Sequence, residues 1–489
     1  MITKVQEIPV TETSYPFASA EKLAGLSKRG YVEKEYYMHG TANVYRSADE
    51  DGNVEVKTPD APYVNRFIVR APEKAEDCSG NVVVEIINPT AFMEIDRMWI
   101  LGQKGFVRNG DIYVGITSKP NTIPKLLEFN AERYQEMSWK NPCDDPFPYD
   151  AAELIAKGTL PDLNPSYETG LFWDMLTDFA WMIREKDEKS PLKDYPTDYI
   201  YLTGWSQSAC YMIRYINSFA YRPEAARGGC VFDGYLAAGA PRQVVTPVNQ
   251  YEADQNYSWK LQRVEHAEQP YIALQTESEN GRFNTYHVRE EDSDTPDRMF
   301  RIYDITGASH DTMYSLIDYY QNDKDMERIG VLPSYPGKEG EGNAYPSEIL
   351  CAAAYRNLYR WVREGIGPNH CEKIAVDAKG ENVKDALGNS IGGLRTCLLS
   401  FPTGSYSNTT EVASGMGNFG EHHEKQGLFG SQKAFSAGIL QEMYGSLEHY
   451  RELVVNDTKT QVSKGFVCRE DAEELIRLAV DLAAERGLK

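Results

Sequence analysis

Cysteine pairs are missing from this sequence. Its eight cysteines stand at 78, 143, 210, 230, 351, 371, 397 and 468, and no two fall in a C-x-x-C arrangement. That excludes a zinc ribbon and argues against a disulfide framework, leaving reduced and mostly buried thiols. Positive charge is also short: 51 Lys and Arg face 73 Asp and Glu, a net charge of −22. Nucleic acid and anionic membrane surfaces both repel such a chain, so neither is expected as a partner. The first residues, MITKVQEIPVTETSYPF, contain no apolar run of the kind a secretory leader carries, and no stretch reaches membrane-spanning length. A cytoplasmic location is the expectation. No internal repeat is visible. Histidine is scarce at eight copies, which makes the position of each one informative.

What the chain has is aromatic and aliphatic bulk. Hydrophobic residues make up 41% of it, with 32 tyrosines, ample for a large core. The 489 residues suit one decorated α/β domain as well as several average ones. Strand-like runs occur at 64–70, 81–87, 111–117, 199–203, 229–235, 271–275 and 300–305. Helical apolar spacing separates several of them, at 99–106, 171–183 and 212–219. Alternation of this kind predicts an α/β fold with a mostly parallel central sheet covered by helices on both faces. Residues 1–60 read as polar with short β-like runs. Two polar excursions, about 118–167 and 239–269, are too long to be plain connections and read as cap or lid insertions. Domain organisation is therefore expected as 1–400 with those insertions. Residues 401–489 would follow as a C-terminal loop and helical extension packed on it, with 403–431 a Gly- and Ser-rich loop. The last helix carries Leu475, Leu478, Ala479 and Leu482 on one face and stops at Gly487.

The chemistry concentrates in Gly204-Trp205-Ser206-Gln207-Ser208. A buried strand ends and a helix begins there, so Ser206 sits on the strand-to-helix turn with small residues two positions to either side. That is what a nucleophile elbow requires, because a large side chain two residues away would collide with the neighbouring backbone. The alternative is a serine that merely caps a helix. A serine hydroxyl needs a base, and the base needs a group to fix its tautomer. In an open parallel sheet, residues just past the C-terminal ends of strands are brought together. Two further strand ends carry suitable groups: Glu277 and Glu279 in LQTESE, and His310 in TGASHD. Either glutamate has the reach, and Glu279, further past the strand, is the first choice for the acid. The order Ser, acid, His is that of α/β-hydrolases. An oxyanion hole would draw on the N–H of Gln207 and on that of Thr90 or Ala91, since Pro89 has none to give. The His422-His423 pair has no accompanying carboxylate or cysteine spacing, so no metal is expected, and no cofactor either.

Taken together, GTANVY at 40–45, VVVEIIN at 82–88, GWSQSA at 204–209, LQTESE at 274–279 and GASHDT at 307–312 resemble a bacterial family of large α/β-hydrolase-domain proteins. YRWV at 359–362 and GNSIGGLRT at 388–396 are similar to that family's later part. The resemblance covers roughly residues 30–405. It implies a G-x-S-Q-S elbow and a triad on Ser206 and His310, with the acid in the TESE segment. It implies no particular substrate.

The expectation from the sequence is a serine hydrolase that cleaves a small to medium, weakly polar carboxylic ester through an acyl-enzyme. An acyltransferase with the same triad, or a non-catalytic hydrolase-like binding protein, are the alternatives. Trp139, Phe147, Tyr149, Tyr251, Tyr257 and Trp259 in the two insertions suggest an aromatic-walled pocket over the site, against plain surface packing. A homo-oligomer is compatible with all of this.

Overall fold

A computed structural model describes residues 1–150, 163–242, 244–253, 259–281, 283, 285–411 and 425–489. The chain forms two compact units. The first comprises Met1–Trp99, Gln103–Gln269 and Asn322–Leu332; the second comprises Ile100–Gly102, Pro270–Gln321 and Pro333–Lys489.

The first unit is built on strands β1 (Ile2–Ile8), β2 (Tyr31–Ser47), β3 (Val54–Pro72), β4 (Asn81–Ile86), β5 (Ile112–Ile116), β6 (Tyr199–Trp205) and β7 (Gly234–Ala238). They lie in the order β1-β2-β3-β5-β4-β6-β7. The last four are parallel to one another, with Val82 opposite Ile112 on one side and Ile200 on the other, while β5 is antiparallel to β3. Every residue of β4, β5 and β7 is buried. Such strands need unbroken apolar runs because both faces are covered. Parallel neighbours need crossovers, and the helices Arg97–Asn109 and Phe172–Arg184 supply two of them. This is the α/β-hydrolase architecture the strand and helix runs predict.

Three differences have physical reasons. Residues 1–60, read as short β-like runs, hold most of a long antiparallel hairpin: β2 pairs with β3 from Tyr31↔Pro72 to Ser47↔Val54. Its sequence signal is diluted because one end is solvent-facing and therefore polar. The turn between them is held by Asp49, whose carboxylate accepts the N–H groups of Asp51 and Asn53. The run expected at 229–235 becomes a strand only at Gly234, because the Asp233 side chain binds the N–H of Ile200 and ion-pairs with Arg184. The strand itself, GYLAA, is rich in alanine, which β propensity disfavours. The elbow helix starts earlier than its apolar spacing indicates, at Gln207, runs to Tyr215, and continues as a π-turn over Ile216–Ala220.

In the second unit, β8 (Ala267–Thr276, whose first residues belong to the first unit), β10 (Arg298–Ile305) and β9 (Ser293–Thr295) lie in that order. The helix Ser347–Glu364 follows them in the chain. The stretch expected as a loop at 403–431 contains two small antiparallel ladders, Gly404–Ser407 with Ser431–Ala434 and Thr410–Glu411 with Lys425–Gln426. Helices Ala437–Tyr444, Leu447–Ser463 and Ala472–Glu485 complete the unit. Tyr444 and Tyr450 anchor the first two, donating their hydroxyls to the carbonyls of Pro402 and Phe401. All eight cysteines are free thiols. Among the described residues, no helix is long and apolar enough to cross a membrane.

Candidate active site

Ser206 stands between the end of β6 and the first residue of the helix Gln207–Tyr215, at φ 58° and ψ −121°. A positive φ is uncommon for a residue with a Cβ, and it is imposed here by the turn. The Ser206 N–H is fixed by the carbonyl of Ala238 at 2.9 Å, and its carbonyl accepts the N–H of Cys210. The small residue two positions back is required: a Cβ on Gly204 would lie 2.8 Å from the backbone of Ser208. Ser208 is itself fully buried, so the position that commonly holds glycine accommodates a serine. Ser206 is 9% exposed. The helix behind it leaves the N–H of Gln207 without an intrahelical acceptor, as first-turn amides always are.

The loop after β4 lies in the same unit. Asn88 donates its side-chain amide to the carbonyl of Trp205 at 2.7 Å, tying this loop directly to the elbow. The Asn88 oxygen accepts the N–H of Thr90 at 2.9 Å, so the Thr90 amide is already used. The Thr90 hydroxyl lies 3.4 Å from the Gln207 side-chain oxygen. Ala91 is exposed, and Phe92 closes the turn at φ 58°, its N–H bonded to the Pro89 carbonyl. Downstream in the loop, Glu94 pairs with buried Arg66, and Asp96 with buried Arg70. Those two arginines also pair with Glu35 and Glu33. A loop of 88–96 held by buried ion pairs at one end and by Asn88 at the other has little freedom to move. Strand and helix periodicity does not reveal these pairs; their signal in the sequence is the alternating charge of Glu33, Glu35, Arg66 and Arg70 on paired strands.

In the second unit, β8 runs into Thr276-Glu277-Ser278-Glu279 and β10 runs into Thr306-Gly307-Ala308-Ser309-His310. The structure brings Glu279 and His310 together: Oε1 of Glu279 is 2.7 Å from Nδ1 of His310, and both are buried. The second oxygen of Glu279 accepts the N–H of Thr276. Glu277 goes elsewhere. Its carboxylate accepts the N–H of Gly307 at 2.7 Å and the ammonium of Lys384 at 2.8 Å. Two glutamates in one turn thus have different partners, and only Glu279 engages the histidine. The ring of Phe283 packs edge-on against the imidazole at 5.1 Å.

Of the aromatic residues in the insertions, Phe147, Tyr149 and Tyr251 cluster, with ring centroids 5.5 and 5.6 Å apart. The Tyr149 hydroxyl donates to the Tyr251 carbonyl, joining the two insertions. Trp139 is not a pocket wall but core, fully buried and stacked on Phe172. Trp259 is 54% exposed beneath the guanidinium of Arg263. Tyr257, His422 and His423 lie outside the described residues. Among those described, no three His, Cys, Asp or Glu side chains are grouped to hold a metal ion. A cavity of about 460 Å³ in the first unit is lined by Tyr45, Asp174, Trp181, Phe219 and Arg222 among others, and by none of the residues above.

No protein of curated function matches the chain. Among solved structures, the esterase Est22 aligns at 12% identity over 64% of this chain and 82% of its own, with a TM-score of 0.33. An α/β serine hydrolase homologue from Coxiella burnetii aligns at 10% identity over 55% and 90%, TM-score 0.25. XC6422 from Xanthomonas campestris, an α/β serine hydrolase without a lid, aligns at 10% identity over 61% and 97%, TM-score 0.26. These similarities are distant. A family model described as alpha/beta hydrolase domain matches residues 4–477, beyond both ends of the 30–405 span of motif resemblance, and the chain belongs to that family.

Proposed function

We propose that the protein is a serine hydrolase acting on carboxylic esters, with Ser206 as nucleophile, His310 as base and Glu279 as the acid that orients it. The observation that carries this reading is the backbone of Ser206. A strained serine at φ 58° between a buried strand and a helix N-terminus has no structural advantage over glycine, but it carries a hydroxyl at the start of a helix whose first N–H groups lack intrahelical acceptors. The 2.7 Å contact of Glu279 with Nδ1 of His310 supports the assignment of the acid. It would hold the imidazole in the tautomer whose Nε2 can accept a proton.

In this mechanism the Ser206 oxygen adds to the ester carbonyl while Nε2 of His310 takes its proton. The carbonyl oxygen becomes negative and is stabilised by the N–H groups of Gln207 and Ala91, Thr90 having spent its own. Collapse breaks the bond to the alcohol, which leaves with the proton from His310. Water, deprotonated by the same imidazole, then attacks the acyl-enzyme, and the acid departs as Ser206 recovers its proton. An alcohol in place of water would make the protein an acyltransferase. The joined aromatic cluster of Phe147, Tyr149 and Tyr251 favours a small to medium, weakly polar ester. A screen of acyl esters with wild type and Ser206→Ala in parallel tests the reading. Turnover should fall by several orders of magnitude in the variant; retention of more than about a tenth of the activity would overturn it.

A further inference from the structure

Three consecutive side chains after β8 grasp the histidine loop at two residues, Gly307 and His310. Glu277 accepts the N–H of Gly307, the Ser278 hydroxyl accepts the N–H of His310 at 2.9 Å, and Glu279 meets the His310 ring. The Glu277 N–H returns a bond to the Ala308 carbonyl at 3.0 Å. Glu277 is 1% exposed, and a carboxylate that deep persists only when paired. Lys384 provides the pairing at 2.8 Å, and it also donates to Ser390 at 2.7 Å. Asn382, two residues earlier, donates its side-chain amide to the Glu277 carbonyl at 2.9 Å.

The peptide held this way has no slack. Gly307 adopts φ 91°, and a Cβ there would lie 2.8 Å from the Tyr345 ring. Its N–H is taken by Glu277 and its carbonyl by the Asn343 side chain at 2.8 Å. His310 follows three residues later. The Gly307 peptide and the His310 backbone are thus both tied to the Glu277–Glu279 segment, one through Glu277 and the other through Ser278.

We propose that Glu277 and Lys384 form a positioning clamp that sets His310 against Glu279 through the Gly307 backbone. The inference rests on the reading of His310 as the base. Neither residue touches the reacting atoms. Misplacing a catalytic group by about 1 Å costs on the order of a hundredfold in rate, so Glu277→Ala should lower kcat by about 10- to 100-fold with KM unchanged. Glu277→Gln keeps the acceptor for Gly307 and should be the milder change. Lys384→Met strands a buried carboxylate and should be harmful alone. Removing both charges in Glu277→Gln/Lys384→Met should recover activity relative to Lys384→Met, a coupling that independent losses would not give.

The experiment pairs steady-state kinetics of these four variants with proton NMR of the full chain. It follows the far-downfield Nδ1–H signal of His310, identified by its loss in His310→Ala. Support is a fall in kcat without a change in KM, a shifted or broadened imidazole signal in Glu277→Ala, and recovery in the double variant. A folded Glu277→Ala with wild-type kcat and an unmoved signal overturns the clamp. If Glu277→Ala does not fold, additive losses in the remaining variants overturn it instead. The NMR signal belongs to the Glu279–His310 pair alone. Full activity in Ser206→Ala would thus sink the hydrolase reading while leaving the clamp to be judged on the imidazole.

Discussion

A serine held at φ 58° and ψ −121° should cost the protein stability, and the cost can be measured by relieving it. An L-residue in such a conformation is strained by about 1–3 kcal/mol, whereas glycine adopts it freely. Glycine also gives the unfolded chain extra freedom, which takes back about 0.5–1 kcal/mol. Ser206→Gly should therefore be more stable than Ser206→Ala by about 1 kcal/mol. Comparison with alanine rather than with serine removes the hydroxyl from the difference. Unfolding entropy of about 2.1 cal/mol/K per residue gives roughly 1 kcal/mol/K for a chain of 489 residues. The melting temperature of the glycine variant should then lie about 1 °C above that of the alanine variant, a difference resolved by repeated calorimetric scans. Both variants should be inactive. An alanine variant as stable as the glycine one, or more so, would mean that the elbow is not strained, and the argument from the Ser206 backbone would fail.

Glu279→Gln leaves the histidine tautomer unfixed, and kcat should drop by about 10⁴; Glu277→Gln should cost far less, and a reversed order with both proteins folded would move the acid to Glu277. Arg66→Met leaves the buried Glu94 carboxylate without its arginine and removes one of the two arginines on buried Glu35, which keeps Arg133. It should lower stability by about 3–5 kcal/mol and depress turnover by loosening the loop that carries Ala91, which thermal scans and kinetics would check together. Burial, with Asp96 adding to it, pushes the Glu85 carboxyl from 4.5 up to about 8. Because the folded value is the higher one, the proton held there stabilises the fold fully below pH 4.5, and that contribution is lost as pH rises through 8. Glu85→Gln, which cannot ionise, should flatten the decline in melting temperature across that window, and an unchanged slope would refute it.

The parallel part of the sheet was legible because β4, β5 and β6 are short, mostly apolar runs bounded by Asn, Gly or Pro. β7 was misplaced because Tyr235-Leu236-Ala237-Ala238 lacks β-branched residues, while the Cys230-Val231-Phe232 run before it has them. The long hairpin was missed for a different reason. Its pairing is set by register across seventeen residues, Tyr31↔Pro72 onward, and not by any local motif. At the candidate site, the strand-end positions of Ser206 and His310 were legible in the strand runs and chain order. Glu279 could be preferred but not separated from Glu277, since the distinction lies in Lys384, more than a hundred residues away in sequence. The same holds for the loop after β4. Nothing in Asn88-Pro89-Thr90-Ala91 says that Asn88 will consume the Thr90 amide, because that bond depends on how the loop folds back.

The most direct test of the central claim is intact-mass and peptide analysis after exposure to a fluorophosphonate. One covalent adduct is expected on the peptide containing Ser206, absent from Ser206→Ala and formed far more slowly in His310→Ala and Glu279→Gln. No adduct on the folded wild-type protein, or an adduct on another residue at the same rate in all four proteins, would contradict it.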